Sequence, residues 1–129
     1  MPTILTIDDD HLYREILLDI FDMYEFQVLE AHNGRLGLQL AKERRPDVIT
    51  CDIRMPDLNG YEVLKALRHD PVTAKIPFIF VTSEQTNHAR WYAMKLGADG
   101  FLPKFCTFEQ LMSAVKLQLA PSEQVSVPT

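Results

Sequence analysis

The sequence predicts an α/β domain in which the strands of a parallel sheet alternate with helices in β-α order. Two observations carry this expectation. Five short apolar runs alternate with five amphipathic stretches along the 129 residues, as a parallel sheet with helical crossovers requires. Three of the runs, Ile4-Leu5-Thr6-Ile7, Val48-Ile49-Thr50-Cys51 and Phe78-Ile79-Phe80-Val81, are nearly continuous in apolar character, as expected of strands covered on both faces.

Taken in order, the strands are expected at Thr3–Ile7, Gln27–Ala31, Val48–Cys51, Phe78–Thr82 and 100–102. A first helix over 13–24 follows from Tyr13, Ile16, Leu17, Ile20, Phe21 and Tyr24, which keep three-four spacing with Arg14, Glu15, Asp19 and Asp22 opposite. Asn33 suits the N-cap of a second helix ending before Pro46, and a third spans 61–68. The fourth, over 88–96, turns Ala89, Tyr92, Ala93 and Leu96 inward and stops at Gly97, a residue suited to a left-handed cap. Thr107 and Gln110 form a capping box for the last helix, whose stripe is Phe108, Leu111, Met112, Val115 and Leu119. Residues 1–120 are thus one expected domain, and 121–129, with no helical or strand period, read as a tail or the start of a linker.

Composition narrows the function classes. With 13 Lys plus Arg against 18 Asp plus Glu the formal net charge is -5, which argues against non-specific attraction to nucleic acid or an anionic membrane. Cys51 and Cys106 lack the paired spacing of a zinc site or redox dithiol. No apolar run approaches the roughly 18 residues that span a bilayer, and Met1-Pro2-Thr3 leads straight into a strand rather than a signal peptide. A cytoplasmic location is the default expectation.

In an open parallel sheet, ligands bind beyond the carboxyl ends of the strands. There the first strand ends in Asp8-Asp9-Asp10, the third in Asp52, the fourth in Thr82-Ser83, and the fifth is followed by Lys104. Converging carboxylates repel one another, and a bound cation or a raised pKa relieves them. All-oxygen ligands with room for water and phosphate favour Mg²⁺ over Ca²⁺, while zinc would want His or Cys. Taken singly, Asp8 to Asp10 also suit a helix N-cap, and Lys104 an ordinary surface lysine. The combination of four strand ends favours a site.

Four motifs, T-I-D-D-D, C-D-I-R-M-P-D-L-N-G, V-T-S and L-P-K, together resemble the receiver domains of two-component response regulators, the CheY-like family. The resemblance runs from about Thr3 to Leu119 and implies a doubly wound (βα)5 flavodoxin-like fold with strand order 2-1-3-4-5. It implies that Asp52 is the phosphoacceptor, and that Mg²⁺ is held by Asp8, Asp9, Asp52 and the backbone carbonyl of Arg54, with Asp10 in the adjoining acidic position. Thr82 matches the hydroxyl that contacts the phosphoryl group, Lys104 the lysine that pairs with it, and Phe101 the aromatic switch. Ser83, Arg54 and Glu84 flank the group as possible modulators of its hydrolysis, although Arg54 and Glu84 also suit a solvated ion pair. The donor implied is a histidine kinase or histidine phosphotransfer protein. The output implied is a downstream protein or output domain reached through the fourth helix, fifth strand and fifth helix, without membrane or direct nucleic-acid contact. Such a domain catalyses its own phosphorylation and dephosphorylation and is not otherwise an enzyme.

One departure stands out: the family usually places proline after the lysine, whereas here Pro103 precedes Lys104 and Phe105 follows it. A cis bond without proline costs about 2.5–4 kcal/mol, so Lys104-Phe105 is expected trans, with Lys104 still reaching the pocket. Trp91 either anchors a partner or covers the edge of the core. Of the competing functions, a haloacid dehalogenase-type phosphatase would want an acid where Arg54 stands and a capping domain that the length does not allow. A dinucleotide- or flavin-binding module lacks its glycine signatures. A receiver segment of a larger regulator, with output beyond Thr129, is compatible with the tail.

Overall fold

The computed structural model describes residues 1–119. Ten elements alternate strictly: β1 (Thr3–Ile7), α1 (His11–Met23), β2 (Gln27–Ala31), α2 (Gly34–Arg44), β3 (Val48–Cys51), α3 (Gly60–His69), β4 (Phe78–Thr82), α4 (Asn87–Lys95), β5 (Gly100–Pro103) and α5 (Phe108–Leu119). All strand pairs are parallel, in the order β2-β1-β3-β4-β5. The expected fold class and strand order are therefore those observed. The segment 121–129, expected as a tail, lies outside the described residues.

Alternation along the central strands builds two cores. Leu5, Ile7, Ile49, Cys51, Phe78 and Phe80 meet Val63, Leu64, Leu67, Ala89 and Ala93 on one face. Ile4, Val48, Ile79 and Val81 meet Leu17, Ile20, Phe21, Leu111, Met112 and Val115 on the other. Because both faces are covered, β4 is buried at every position, which is why its sequence is an unbroken apolar run. Thr6 and Thr50, partners in the β1-β3 register, are interruptions of this core: both hydroxyls are buried without a hydrogen-bond partner.

Helix starts follow their caps. Asp10 accepts from the Tyr13 amide at 3.2 Å, so α1 begins at His11, two residues before the apolar stripe. Asn33 caps α2 as expected, and Asn59 with Glu62 forms a capping box on α3 that starts it at Gly60. Thr107 and Gln110 exchange the expected pair of bonds, at 2.9 and 3.1 Å. After α4, Gly97 takes φ +102°, the left-handed conformation that glycine adopts without steric cost.

Some inward assignments fail at the edges of stripes. Ile16 is 51% exposed and Tyr24 40%, because the buried face of α1 centres on Leu17, Ile20 and Phe21. Phe108 is half exposed although in phase with Leu111, Met112 and Val115. It is the first residue of α5, one turn ahead of the buried Leu111 and Met112.

Candidate functional site

The site begins with strand register. Ile7 pairs with Cys51 across β1-β3, and the Asp52 amide donates to the Ile7 carbonyl at 3.0 Å. On the other side the Asp8 amide donates to the Ala31 carbonyl, also at 3.0 Å. The ladder thus carries Asp8 and Asp52 one step past the ends of their strands, side by side. β1 is the strand from which the sheet grows in both directions, the switch point at which α/β sheets open a crevice.

Asp8, Asp9 and Asp52 each present a carboxylate oxygen, and the three lie within 4.8 Å of one another. Asp8 and Asp52 are buried while Asp9 is exposed at the mouth. The Lys104 ammonium reaches in between them, 2.9 Å from Asp8 Oδ2 and 3.1 Å from Asp52 Oδ2, with Asp10 Oδ2 at 3.9 Å. The second oxygen of each carboxylate is also held: Asp52 Oδ1 accepts from the Ile53 amide at 2.7 Å, and Asp8 Oδ1 from the Asp10 amide at 2.9 Å. All the bonds that fix these carboxylates come from local backbone and one lysine.

Lys104 enters the pocket without a cis peptide; among the described residues no peptide bond is cis. Its own amide donates to the Thr82 carbonyl at 3.1 Å, extending the β4-β5 ladder by one residue. Its ammonium lies 4.8 Å from the centre of the Tyr13 ring, and the Tyr13 hydroxyl donates to the Lys104 carbonyl at 3.4 Å. Tyr13 is the site neighbour that reading the sequence missed, having been assigned only to the apolar stripe. The signal was its place in the first turn after the aspartates.

The remaining site residues divide between pocket and rim. Thr82 is fully buried, and its hydroxyl accepts from the Glu84 amide at 3.2 Å. Ser83 is exposed. The Arg54 guanidinium turns outward to Glu84 at 3.1 Å, as a surface pair in which Arg54 is largely exposed. Phe101 is buried at 5% exposure and packs 6.3 Å from Phe80, with the Arg90 guanidinium 5.0 Å above its ring. Gly60 closes the floor: a Cβ there would stand 2.2 Å from the Asp52 carbonyl oxygen, so only glycine lets the first turn of α3 sit against the peptide that carries Asp52.

With this geometry in view, the comparisons with known proteins are decisive: residues 4–116 match the response regulator receiver domain. The chain belongs to that family. PilH of Pseudomonas aeruginosa is 34% identical over 120 residues, which are 93% of this chain and 99% of PilH. The transcriptional regulatory protein CpxR of Escherichia coli K12 is also 34% identical, over 95% of this chain but only 51% of CpxR. Among solved structures, the chemotaxis protein CheY4 of Vibrio cholerae superposes with a TM-score of 0.85 at 28% identity, covering 91% of this chain and 98% of that one. The receiver domain of a signal transduction histidine kinase from Syntrophus aciditrophicus gives 0.87 at 29% identity, over 100% and 98%. The receiver domain thus spans nearly all of PilH and about half of CpxR.

The electrostatics of this receiver domain follow from burial against charge. Burial pushes the Asp8 carboxyl up from 3.8 to about 6, and the neighbouring Asp52 adds to the rise, while the Asp10 amide and Lys104 oppose it. Burial acts to lower Lys104, but Asp8 and Asp52 outweigh it and hold the ammonium above its ordinary value. Burial likewise lifts the Cys51 thiol well above its usual range, which with its full enclosure makes it an inert core residue. Three carboxylates facing one ammonium leave a negative site of oxygen donors only, a donor set that fits a hard divalent cation with open positions for water and phosphate. Among the described residues no helix is long and apolar enough to cross a membrane.

Proposed function

We propose that this receiver domain accepts a phosphoryl group on Asp52 in a Mg²⁺-dependent transfer from a histidine kinase or histidine phosphotransfer protein. The observation that carries the proposal is the Lys104 ammonium seated between Asp8 Oδ2 and Asp52 Oδ2 at 2.9 and 3.1 Å. It supports a site built to gather negative charge around one carboxylate and to hand a cation to an incoming phosphate.

The Ile53 amide occupies Asp52 Oδ1, and Oδ2, paired with Lys104 at 3.1 Å, attacks as the ammonium passes to the incoming phosphate. Oδ2 forms the new P–O bond as the bond from phosphorus to the donor imidazole nitrogen breaks, and the imidazole leaves with the electron pair. Lys104, already poised between the two carboxylates, pairs with the transferred group. Asp8, Asp9, Asp52 and the Arg54 backbone carbonyl would hold Mg²⁺, which supplies the charge neutralisation that phosphoryl transfer needs. The Thr82 hydroxyl now accepts from the Glu84 amide; its own hydrogen donates to a phosphoryl oxygen, which draws it inward. The space vacated admits Phe101, and the face made by α4, β5 and α5 changes. The domain acts as a switch that catalyses its own phosphorylation and dephosphorylation rather than as an enzyme with an external product.

Incubation with Mg²⁺ and a small acyl phosphate, read by intact-protein mass spectrometry, tests this. One added phosphoryl group on wild type and none on Asp52→Asn is the expected result; labelling of both, or of neither, removes Asp52 from the role. A second arrangement has its own support, because the match covers only 51% of CpxR: the switched face would then act on an output domain of the same polypeptide rather than on a separate protein.

A further inference from the structure

Lys104 is the lysine paired with Asp8 and Asp52, yet the chain on its C-terminal side gives it little footing. Phe105 is 81% exposed. The Cys106 amide donates to the Pro103 carbonyl at 3.0 Å, closing a turn over Lys104 and Phe105 that bonds neither. A lysine stem is long and flexible, so an ammonium that must leave two carboxylates for a phosphate needs its base fixed while its head moves. Tyr13 touches Lys104 at both ends. Its hydroxyl donates to the Lys104 carbonyl at 3.4 Å, and its ring centre lies 4.8 Å from the ammonium, within the reach of cation–π attraction. Burial holds the phenol above its ordinary value, so the hydroxyl stays protonated as a donor. Tyr13 is placed in turn by the site itself: its amide donates to Asp10 Oδ1 at 3.2 Å, and the Asp10 amide donates to Asp8 Oδ1 at 2.9 Å. Because the Lys104 ammonium stands 2.9 Å from Asp8 Oδ2, these contacts close a ring from Asp8 through Asp10, Tyr13 and Lys104 back to Asp8.

We propose that Tyr13 is a positioning residue for phosphoryl transfer, which anchors the backbone of Lys104 through its hydroxyl and gives the ammonium an aromatic surface to rest on as it passes from Asp8 and Asp52 to the phosphoryl group. The inference rests on the reading of Asp52 as the phosphoacceptor and adds to it the residue that prepares Lys104 for the transfer. A tyrosine serving only the apolar stripe of α1 would matter to the fold whether or not Lys104 is present. A positioning residue acts through Lys104 and loses its effect when that lysine is gone.

The test combines the rate of labelling by acetyl phosphate and Mg²⁺ with NMR of isotope-labelled lysine, in which the Lys104 signal is the one lost in Lys104→Met. In the wild type the ring current of Tyr13 should move the terminal methylene protons of Lys104 upfield; Tyr13→Phe should keep that shift and Tyr13→Leu abolish it. Labelling should slow about tenfold in Tyr13→Leu and about twofold in Tyr13→Phe, which loses only the hydroxyl bond. Added to Lys104→Met, Tyr13→Leu should cost less than about twofold. Tyr24→Leu removes the ring beneath Lys116, 5.4 Å away at the other end of α1, and should label as fast as the wild type. A Lys104 signal without the upfield shift in the wild type overturns the proposal even if Tyr13→Leu fails to fold. So does folded Tyr13→Leu labelling at the wild-type rate, or losing as much in the Lys104→Met background as alone. The two readings fail separately: labelling of Asp52 with an unshifted Lys104 signal keeps the phosphoacceptor and removes Tyr13, whereas a shifted signal with no labelling of the wild type removes the phosphoacceptor and the role of Tyr13 with it.

Discussion

Replacing Lys104 by methionine keeps the length of the side chain and removes its charge. The ammonium makes two short contacts, at 2.9 and 3.1 Å, to carboxylates that are 4% and 8% exposed, and is itself 17% exposed. At an effective dielectric of about 20, each such contact is worth roughly 5 kcal/mol of gross attraction, most of it offset by the desolvation of the three groups. Breaking a buried pair by removing one partner costs about 3–5 kcal/mol, because the remaining charge is left unpaired. The mouth of this pocket is open at Asp9 and Asp10, which are exposed, so the lower end applies and the expected loss is about 3 kcal/mol. Urea unfolding followed by circular dichroism, with a chelator and near neutral pH, should show the midpoint falling by about 1.5 M, for a slope of about 2 kcal/mol per M. Two conditions should restore it, since both relieve the stranded carboxylates: acidification below the Asp8 value of about 6, and millimolar Mg²⁺. A loss unaffected by either, or a midpoint shift below about 0.3 M, would refute the electrostatic account and leave Lys104 as packing.

Three further outcomes follow from the same coordinates. Folding raises the Asp8 carboxyl from 3.8 to about 6, so the folded state holds a proton that the unfolded chain has released. The contribution of Asp8 to stability without metal should therefore be fully present at low pH and fall as pH rises across that window, by at most roughly 3 kcal/mol; it is read as the difference between wild type and Asp8→Asn, and a difference that moves in the wild type's favour as pH rises would contradict the assignment. Gly60→Ala would set a methyl 2.2 Å from the Asp52 carbonyl oxygen and 2.9 Å from Phe80. Overpacking of that kind costs about 1–3 kcal/mol and exceeds the helix-propensity gain of at most about 1 kcal/mol, so thermal denaturation should show a net loss of Tm. Arg68 donates to the carbonyls of Ala74, Ile76 and Gly97 and to Asp99. Arg68→Lys keeps the charge but loses the planar fork, and equilibrium unfolding should record a loss of about 2 kcal/mol.

The central strands β1, β3 and β4 were legible because burial on both faces leaves little choice of residue; β2, a half-exposed edge strand, also has the expected bounds, and β5 extends one residue further, to Pro103. The acidic cluster was legible for a related reason, since nothing in a packed core accounts for Asp8 and Asp9 after the first strand and Asp52 after the third. What escaped was set by contacts between distant segments. Tyr13 carries the same apolar signal whether it faces Leu17 or leans over Lys104. Arg90 gives no sign in sequence that it will cover Phe101, and Ile16 and Phe108 fell on the solvent side of stripes whose centres were placed correctly. Helix starts at His11 and Gly60 depended on Asp10 and Asn59, capping residues that lie within the candidate motifs, where the apolar stripe had not yet begun.

The contact between Gly60 and the Asp52 carbonyl divides the molecule mechanically. Where backbone abuts backbone with no side chain between, nothing can yield, and the turn that follows Asp52 is clamped to α3 like a fixed anvil. On the far flank, the Thr82 hydroxyl is held by a single amide and Phe101 is roofed by a flexible guanidinium. Any change of charge at Asp52 therefore has a stiff wall on the α3 side and compliant parts on the side of β4 and β5.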